Sequence, residues 1–177
     1  LLVVDSEIEI WQSNAISRYI AKITNNIPDN KEMAAYADSI FESAHDLFFP
    51  LNPTINVFVG ENHLNHKKNL IDDILPKAFN NFEKLLQKYE GNFFLGDQVF
   101  YCDFNVYHHL SLSLLLEKTV LDNYPKLKKF MIDFEALEGI KSYLDSRAEL
   151  IGIGTWPKVI IDGKEYTSGT NPYYKYL

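Results

Sequence analysis

The chain of 177 residues carries a formal net charge of −7, a hydrophobic share of 46% and an aromatic share of 14%. That is enough apolar material for one sizeable core, which excludes wholesale disorder. An acidic chain without a basic block is a poor partner for nucleic acid or an anionic membrane surface.

In chain order, Leu1 to Val4 and Glu7 to Trp11 alternate as two strands joined at Asp5-Ser6. The period then changes. Ala15, Ile16, Tyr19, Ile20 and Ile23 form one apolar stripe, predicting a helix from Asn14 to Ile23 with Ser13 as its N-cap. The turn-rich run "TNNIPDN" predicts a linker, giving domains at 1–24, 25–31 (linker) and 32–154, with an extension at 155–177. A helix is expected from Glu32 to Phe49, ending at Pro50, and another from Lys67 to Tyr89 with a kink or restart at Pro76. Glu90 to Gln98 reads as a loop. Asp103 to Lys118 is apolar nearly all round, as a buried central helix should be. "NYPKLKKFMIDF" and "LEGIKSYLDSR" predict two shorter helices, and "KVIIDGKEY" a small hairpin turning at Asp162-Gly163. No run is long and apolar enough to span a bilayer.

The single cysteine, Cys102, excludes an internal disulfide, suits a reducing cytoplasmic compartment, and reads as a buried inert thiol. His63-x-x-His66 and His108-His109 lack the further ligands a tetrahedral metal site needs, so no metal is expected.

Gln12-Ser13 stands where a strand hands over to a helix. Backbone N–H groups and the positive end of the helix dipole there suit a carboxylate, and a simple helix cap suits the same residues. The run "QSNAISRYIAK" resembles the last strand-to-helix turn of the thioredoxin-like domain in cytosolic glutathione transferases. "FFLGDQVFYCDF" resembles the element that opens the central helix of that family's helical domain, and "LDNYPKLKKFM" the segment after it. The resemblance runs from Leu1 to about Leu144 and is closest to the sigma class, which includes the glutathione-dependent prostaglandin D synthases. It implies the C-terminal ββα of a thioredoxin-like α/β domain followed by an all-α domain.

For function, the resemblance implies a homodimeric transferase of detoxification type that conjugates glutathione, its co-substrate, with small hydrophobic electrophiles, or isomerises them with it. Gln12 and Ser13 would hold the γ-glutamyl end. Asp46 would reach the same amine from across a dimer interface, and Phe48, Asn105 and His109 would face the electrophile. Asp103 would be structural, although the Ser or Thr usual three residues before it is Phe100 here. The hydroxyl that activates the thiol would lie upstream of Leu1, so this chain alone is expected to be inactive. A non-catalytic docking or crystallin-like module is the alternative. The tail from Thr155 is expected either to cover the pocket, through Trp156 or Tyr173-Tyr174, or to form a surface hairpin.

Overall fold

The computed structural model describes residues 1–167. Strands β1 (Leu2–Val4) and β2 (Ile8–Ile10) pair antiparallel, with Val3 opposite Glu9. Asp5 and Ser6 both have positive φ, the backbone a two-residue hairpin turn requires, and the Glu7 N–H closes it on the Val4 carbonyl at 3.0 Å. Helix α1 (Ser13–Ile23) follows.

The helical body is built round α2 (Lys31–His45) and α6 (Tyr101–Leu116). Asn30 caps α2 by accepting from the Met33 N–H at 2.9 Å. Ala37, Ile40, Phe41 and Ala44 of α2 face Cys102, Val106 and Leu110 of α6, all buried. Around this pair pack α3 (Phe48–Asn56), α4 (Gly60–Asn69), α5 (Leu75–Leu85), α7 (Pro125–Glu135) and α8 (Glu138–Ser146). Edge-on aromatic pairs, Phe94 with Phe130 at 5.3 Å and Phe82 with Phe94 at 6.1 Å, fill the far side of the core.

Two helices differ in their bounds from the sequence expectation. The expected helix from Glu32 to Phe49 breaks after His45, and α3 restarts at Phe48 and runs through two prolines. Pro50 falls in the first turn of α3, where no intrahelical N–H is needed, so it begins a helix rather than ending one. The expected helix from Lys67 starts earlier, at Gly60, and ends earlier, at Leu85. The α-helix restarts at the proline as expected, α5 beginning at Leu75 with Pro76 in its first turn. A π-helical turn over Leu70–Ile74 precedes the proline, with the Leu75 N–H bonded to the Leu70 carbonyl. The wider turn accommodates a ring that crowds the preceding carbonyl and supplies no donor.

Asp103, the third residue of α6, is fully buried. Its carboxylate accepts from the Phe100 N–H at 2.8 Å and the Phe94 N–H at 3.0 Å, tying the 90–98 loop to the helix start. Phe100 has no side-chain acceptor to complete a reciprocal cap; its backbone carbonyl takes the Asp103 N–H instead, at 3.0 Å. Burial raises the Asp103 carboxyl from 3.8 to about 6, against the opposing pull of those two N–H donors. Glu83 does comparable work for α7, its Oε1 accepting from the Lys126 and Leu127 N–H groups at 2.8 and 2.9 Å.

The hairpin expected in the tail forms, as β4 (Lys158–Ile161) and β5 (Lys164–Thr167) turning at Asp162-Gly163. A further strand, β3 (Glu149–Ile151), pairs with β4 and makes a three-stranded antiparallel sheet.

Candidate functional site

The start of α1 is exposed and uncapped. Gln12 precedes the helix with φ 71° and ψ 123°, a region that costs a residue with a Cβ about 1–3 kcal/mol. Ser13 is therefore the first helical residue and not the N-cap expected of it. Among the described residues no side chain bonds the free N–H groups, and the first turn carries no acidic residue. The helix ladder begins with the Ile16 N–H on the Gln12 carbonyl, at 3.0 Å. The N–H groups of Ser13, Asn14 and Ala15 thus have no acceptor inside the helix, and they stand at the positive end of its dipole. Such a terminus suits an anion, and Gln12 and Ser13 place an amide and a hydroxyl beside it.

A polar network fastens this helix to the body. Arg18 Nε donates to Asp38 Oδ1 at 2.7 Å, its Nη2 donates to Glu42, and the Tyr101 hydroxyl donates to the same Asp38 oxygen at 2.6 Å. The Arg18 guanidinium also lies 5.1 Å from the centre of the Phe41 ring. Partial burial opposes ionisation of Asp38, but the bonds from Arg18 and Tyr101 outweigh it and hold the carboxyl below its ordinary value. Burial and then Asp38 push the Tyr101 phenol well up, so it stays a neutral donor. The four residues of this network, Arg18, Asp38, Glu42 and Tyr101, are not among the site residues expected from sequence. Arg18 lies inside the quoted "QSNAISRYIAK", and the acid pair Asp38 and Glu42, one turn apart on α2, was the readable signal for its partner.

Beneath the network, α1, α2 and α6 enclose an open groove of about 460 Å³ whose walls include Ser17, Ile20, Phe41, Tyr101, Phe104 and Asn105. Ser17 is one turn below Ser13 on the same helix face. Asn105 Nδ2 donates to the Phe41 carbonyl at 2.7 Å, which fixes α6 against α2 at the groove wall.

His109 does not reach that wall: it is 1% exposed. Its Nδ1 faces the Asn105 carbonyl at 2.8 Å and so carries the proton, while Nε2 has no partner among the described residues. Burial drives its pKa from 6.5 down to about 4, and the ring is neutral at physiological pH. His45 stands edge-on to it at 6.3 Å and stacks on Phe48 at 5.4 Å. Phe48, at the start of α3, is partly open to solvent, 38% exposed. Asp46 is exposed at the C-terminal end of α2, one turn beyond Glu42. The structure thus brings Phe48 and His109 together through His45, places Asn105 on the groove, and leaves Gln12 and Ser13 at the head of α1.

The remaining candidates are occupied structurally. Cys102 is buried, with its thiol pushed well up by burial. His63 Nδ1 lies 2.8 Å from the Thr54 carbonyl, and His66 stacks on Phe58 at 4.2 Å. Among the described residues no three potential ligands gather as a metal site would need, and no helix is long and apolar enough to cross a membrane. The tail sheet contributes no residue to the groove described above, and Trp156 is 79% exposed. Tyr173 and Tyr174 lie outside the described residues.

A strand pair and uncapped helix joined to an all-helical body is the architecture of the glutathione transferase fold. The family model described as "Glutathione S-transferase, C-terminal domain" matches residues 45–147. The chain is 31% identical to "Glutathione S-transferase P" of Caenorhabditis elegans, over 80% of this chain and 67% of that protein. It is 33% identical to "Glutathione S-transferase Mu 5" of Mus musculus, over 81% of this chain and 62% of the relative. Among solved structures, the Pi-class glutathione S-transferase of Onchocerca volvulus superposes with a TM-score of 0.72 at 29% identity, over 81% of this chain and 68% of that one. The chain belongs to the glutathione S-transferase family. It spans about two thirds or less of the length of these curated relatives, 67% and 62%.

Proposed function

We propose that this chain carries the γ-glutamyl half of a glutathione site, in a transferase that joins glutathione to small hydrophobic electrophiles. The observation that supports it is the exposed and uncapped start of α1, where three backbone N–H groups lack an acceptor inside the helix beside the exposed Gln12 and Ser13. An α-carboxylate there would accept from the helix-start N–H groups and the Ser13 hydroxyl, with Gln12 holding the peptide alongside. The named relatives are of P and Mu type, whereas the quoted motifs resemble sigma; we place the chain at the level of the family.

The rest of the assignment follows the same frame. The protein acts as a homodimer in which Asp46 of the partner subunit meets the glutathione amine; in this chain Asp46 is exposed and accessible for such a contact. Asn105 and Phe48 are assigned as electrophile contacts. His109, buried and neutral, acts through them by holding the Asn105 turn and the His45–Phe48 stack. Stretches 1–24 and 32–154 serve as the glutathione-holding and electrophile-holding units. What this chain supplies is orientation: binding one end of the tripeptide fixes where the thiol can stand.

The test is calorimetric titration of glutathione into the wild-type chain and Ser13→Ala. Affinity should fall about tenfold, the worth of one hydrogen bond to a charged group, while the melting temperature stays within a degree or so. Equal affinities would remove Ser13 from the site.

A further inference from the structure

The three-stranded sheet of residues 149–167 begins just beyond the stretch matched by the family model, which ends at residue 147. Its attachment to the helical body is narrow. Helix α8, which leads into it, has no buried residue. Leu150 and Ile153 are only partly buried against the core, Pro157 is buried, and Gly152, Thr155 and Trp156 are exposed.

The contact is nonetheless specific. Helix α4 begins after Val59 with no side-chain cap, and the N–H of its first residue, Gly60, donates to the Gly154 carbonyl at 2.8 Å. The tail thus supplies the acceptor that the local sequence lacks. Val59 and Gly154 also pair as an isolated parallel bridge. Gly154, with φ 82°, lies directly on the buried His63 ring; a Cβ there would sit 2.6 Å from Cδ2 and 2.9 Å from Nε2. The same ring holds the Thr54 carbonyl of α3 through Nδ1 at 2.8 Å. One tail glycine therefore backs the imidazole that ties α4 to α3. A tight turn aims it: the Thr155 N–H and hydroxyl both donate to the Gly152 carbonyl at 3.0 Å. A Cβ on Gly152 would lie 2.4 Å from the Trp156 carbonyl oxygen.

We propose that the β3–β4–β5 sheet is a releasable strap, latched through Gly154 on Gly60 and His63, whose docking caps α4 and pins α4 to α3. When it lifts, the first turn of α4 loses its acceptor and the His63 face opens to solvent, while the α2–α6 core is untouched. A segment held among the described residues by the Val59–Gly154 bridge, the buried Pro157 and a few half-buried side chains belongs to the low-stability end of a fold, where partial opening takes place without global unfolding.

Amide hydrogen exchange on the whole chain tests this. Gly154→Ala sets a methyl against His63 at a left-handed position, and Gly152→Ala breaks the turn from a different side. Both should speed exchange at the Gly60 amide by about tenfold or more, with the Val106 and Leu110 amides of α6 unchanged. Gly139→Ala, whose Cβ meets nothing within 4 Å, is the control and should leave Gly60 as it was. Unaltered Gly60 exchange in both variants would overturn the proposal. So would acceleration at Gly60 that merely tracks equal acceleration in α6, since that is global loosening.

Discussion

Two buried groups, Asp103 and His109, titrate in the same range with opposite effects on stability. Asp103 binds its proton more tightly in the fold, at about 6 against an ordinary 3.8, because burial penalises its charged form. The folded chain then holds the extra proton between those values, so this contribution is complete below 3.8 and is lost as pH rises through about 6. His109 is the reverse case, lowered from 6.5 to about 4 by burial. The unfolded chain takes that proton first, so stability is lost as pH falls through the same window. At ~1.4 kcal/mol per pKa unit each contribution is about 3 kcal/mol, and they nearly cancel. The wild-type chain should therefore show only a shallow dependence between pH 4 and 6.5 from this pair. Asp103→Asn leaves the His109 slope alone, so its stability should fall by about 3 kcal/mol on acidification. His109→Leu leaves the Asp103 slope alone, and its stability should rise on acidification by a similar amount. Urea unfolding followed by far-ultraviolet circular dichroism across that range gives both slopes. Parallel pH profiles for wild type and the two variants would refute the argument.

Other outcomes follow from single contacts. Asp103→Ala at neutral pH strands the Phe94 and Phe100 N–H groups in the core and should cost about 3 kcal/mol in urea unfolding. Glu83→Ala removes the acceptor for two N–H groups of α7 and should cost about 1 kcal/mol, measurable as a lower urea midpoint at constant slope. Gly91 has φ 134°, and a Cβ there would stand 2.2 Å from the Gly96 backbone, so Gly91→Ala should destabilise by more than about 2 kcal/mol through forced movement of the 90–98 loop. Arg18→Ala removes a half-exposed pair of ion contacts; its cost should stay near 1 kcal/mol and shrink in high salt, as thermal melts at two ionic strengths would show.

What could be read from the sequence was whatever lies in a local pattern. The β1–β2 and β4–β5 hairpins follow from alternation around positive-φ turns, and α1, α6 and α7 from clean 3.6-residue stripes or wholly apolar runs. Helix α4, "GENHLNHKKN", has almost no apolar stripe, so its start was invisible; it is held by a tail carbonyl nearly a hundred residues away in sequence. Helix α3 was hidden by its two prolines, which read as stops: Pro50 sits in the first turn, where no donor is needed, and Pro53 stands inside the helix. At the site, the handover at Gln12-Ser13 was legible from the change of period. The Arg18–Asp38–Tyr101 network was not, because its members are 20 and 63 residues apart and meet only once α1, α2 and α6 have packed.

Titrating reduced glutathione into the isotopically labelled chain, and following the backbone amides, tests the central claim most directly. If the α1 start holds the glutamyl end, the Ser13, Asn14 and Ala15 amides shift together and saturably at millimolar ligand, while amides of α7 and α8 stay in place. Amides at the α1 start that do not move at that concentration, or shifts confined to another face, would contradict the account.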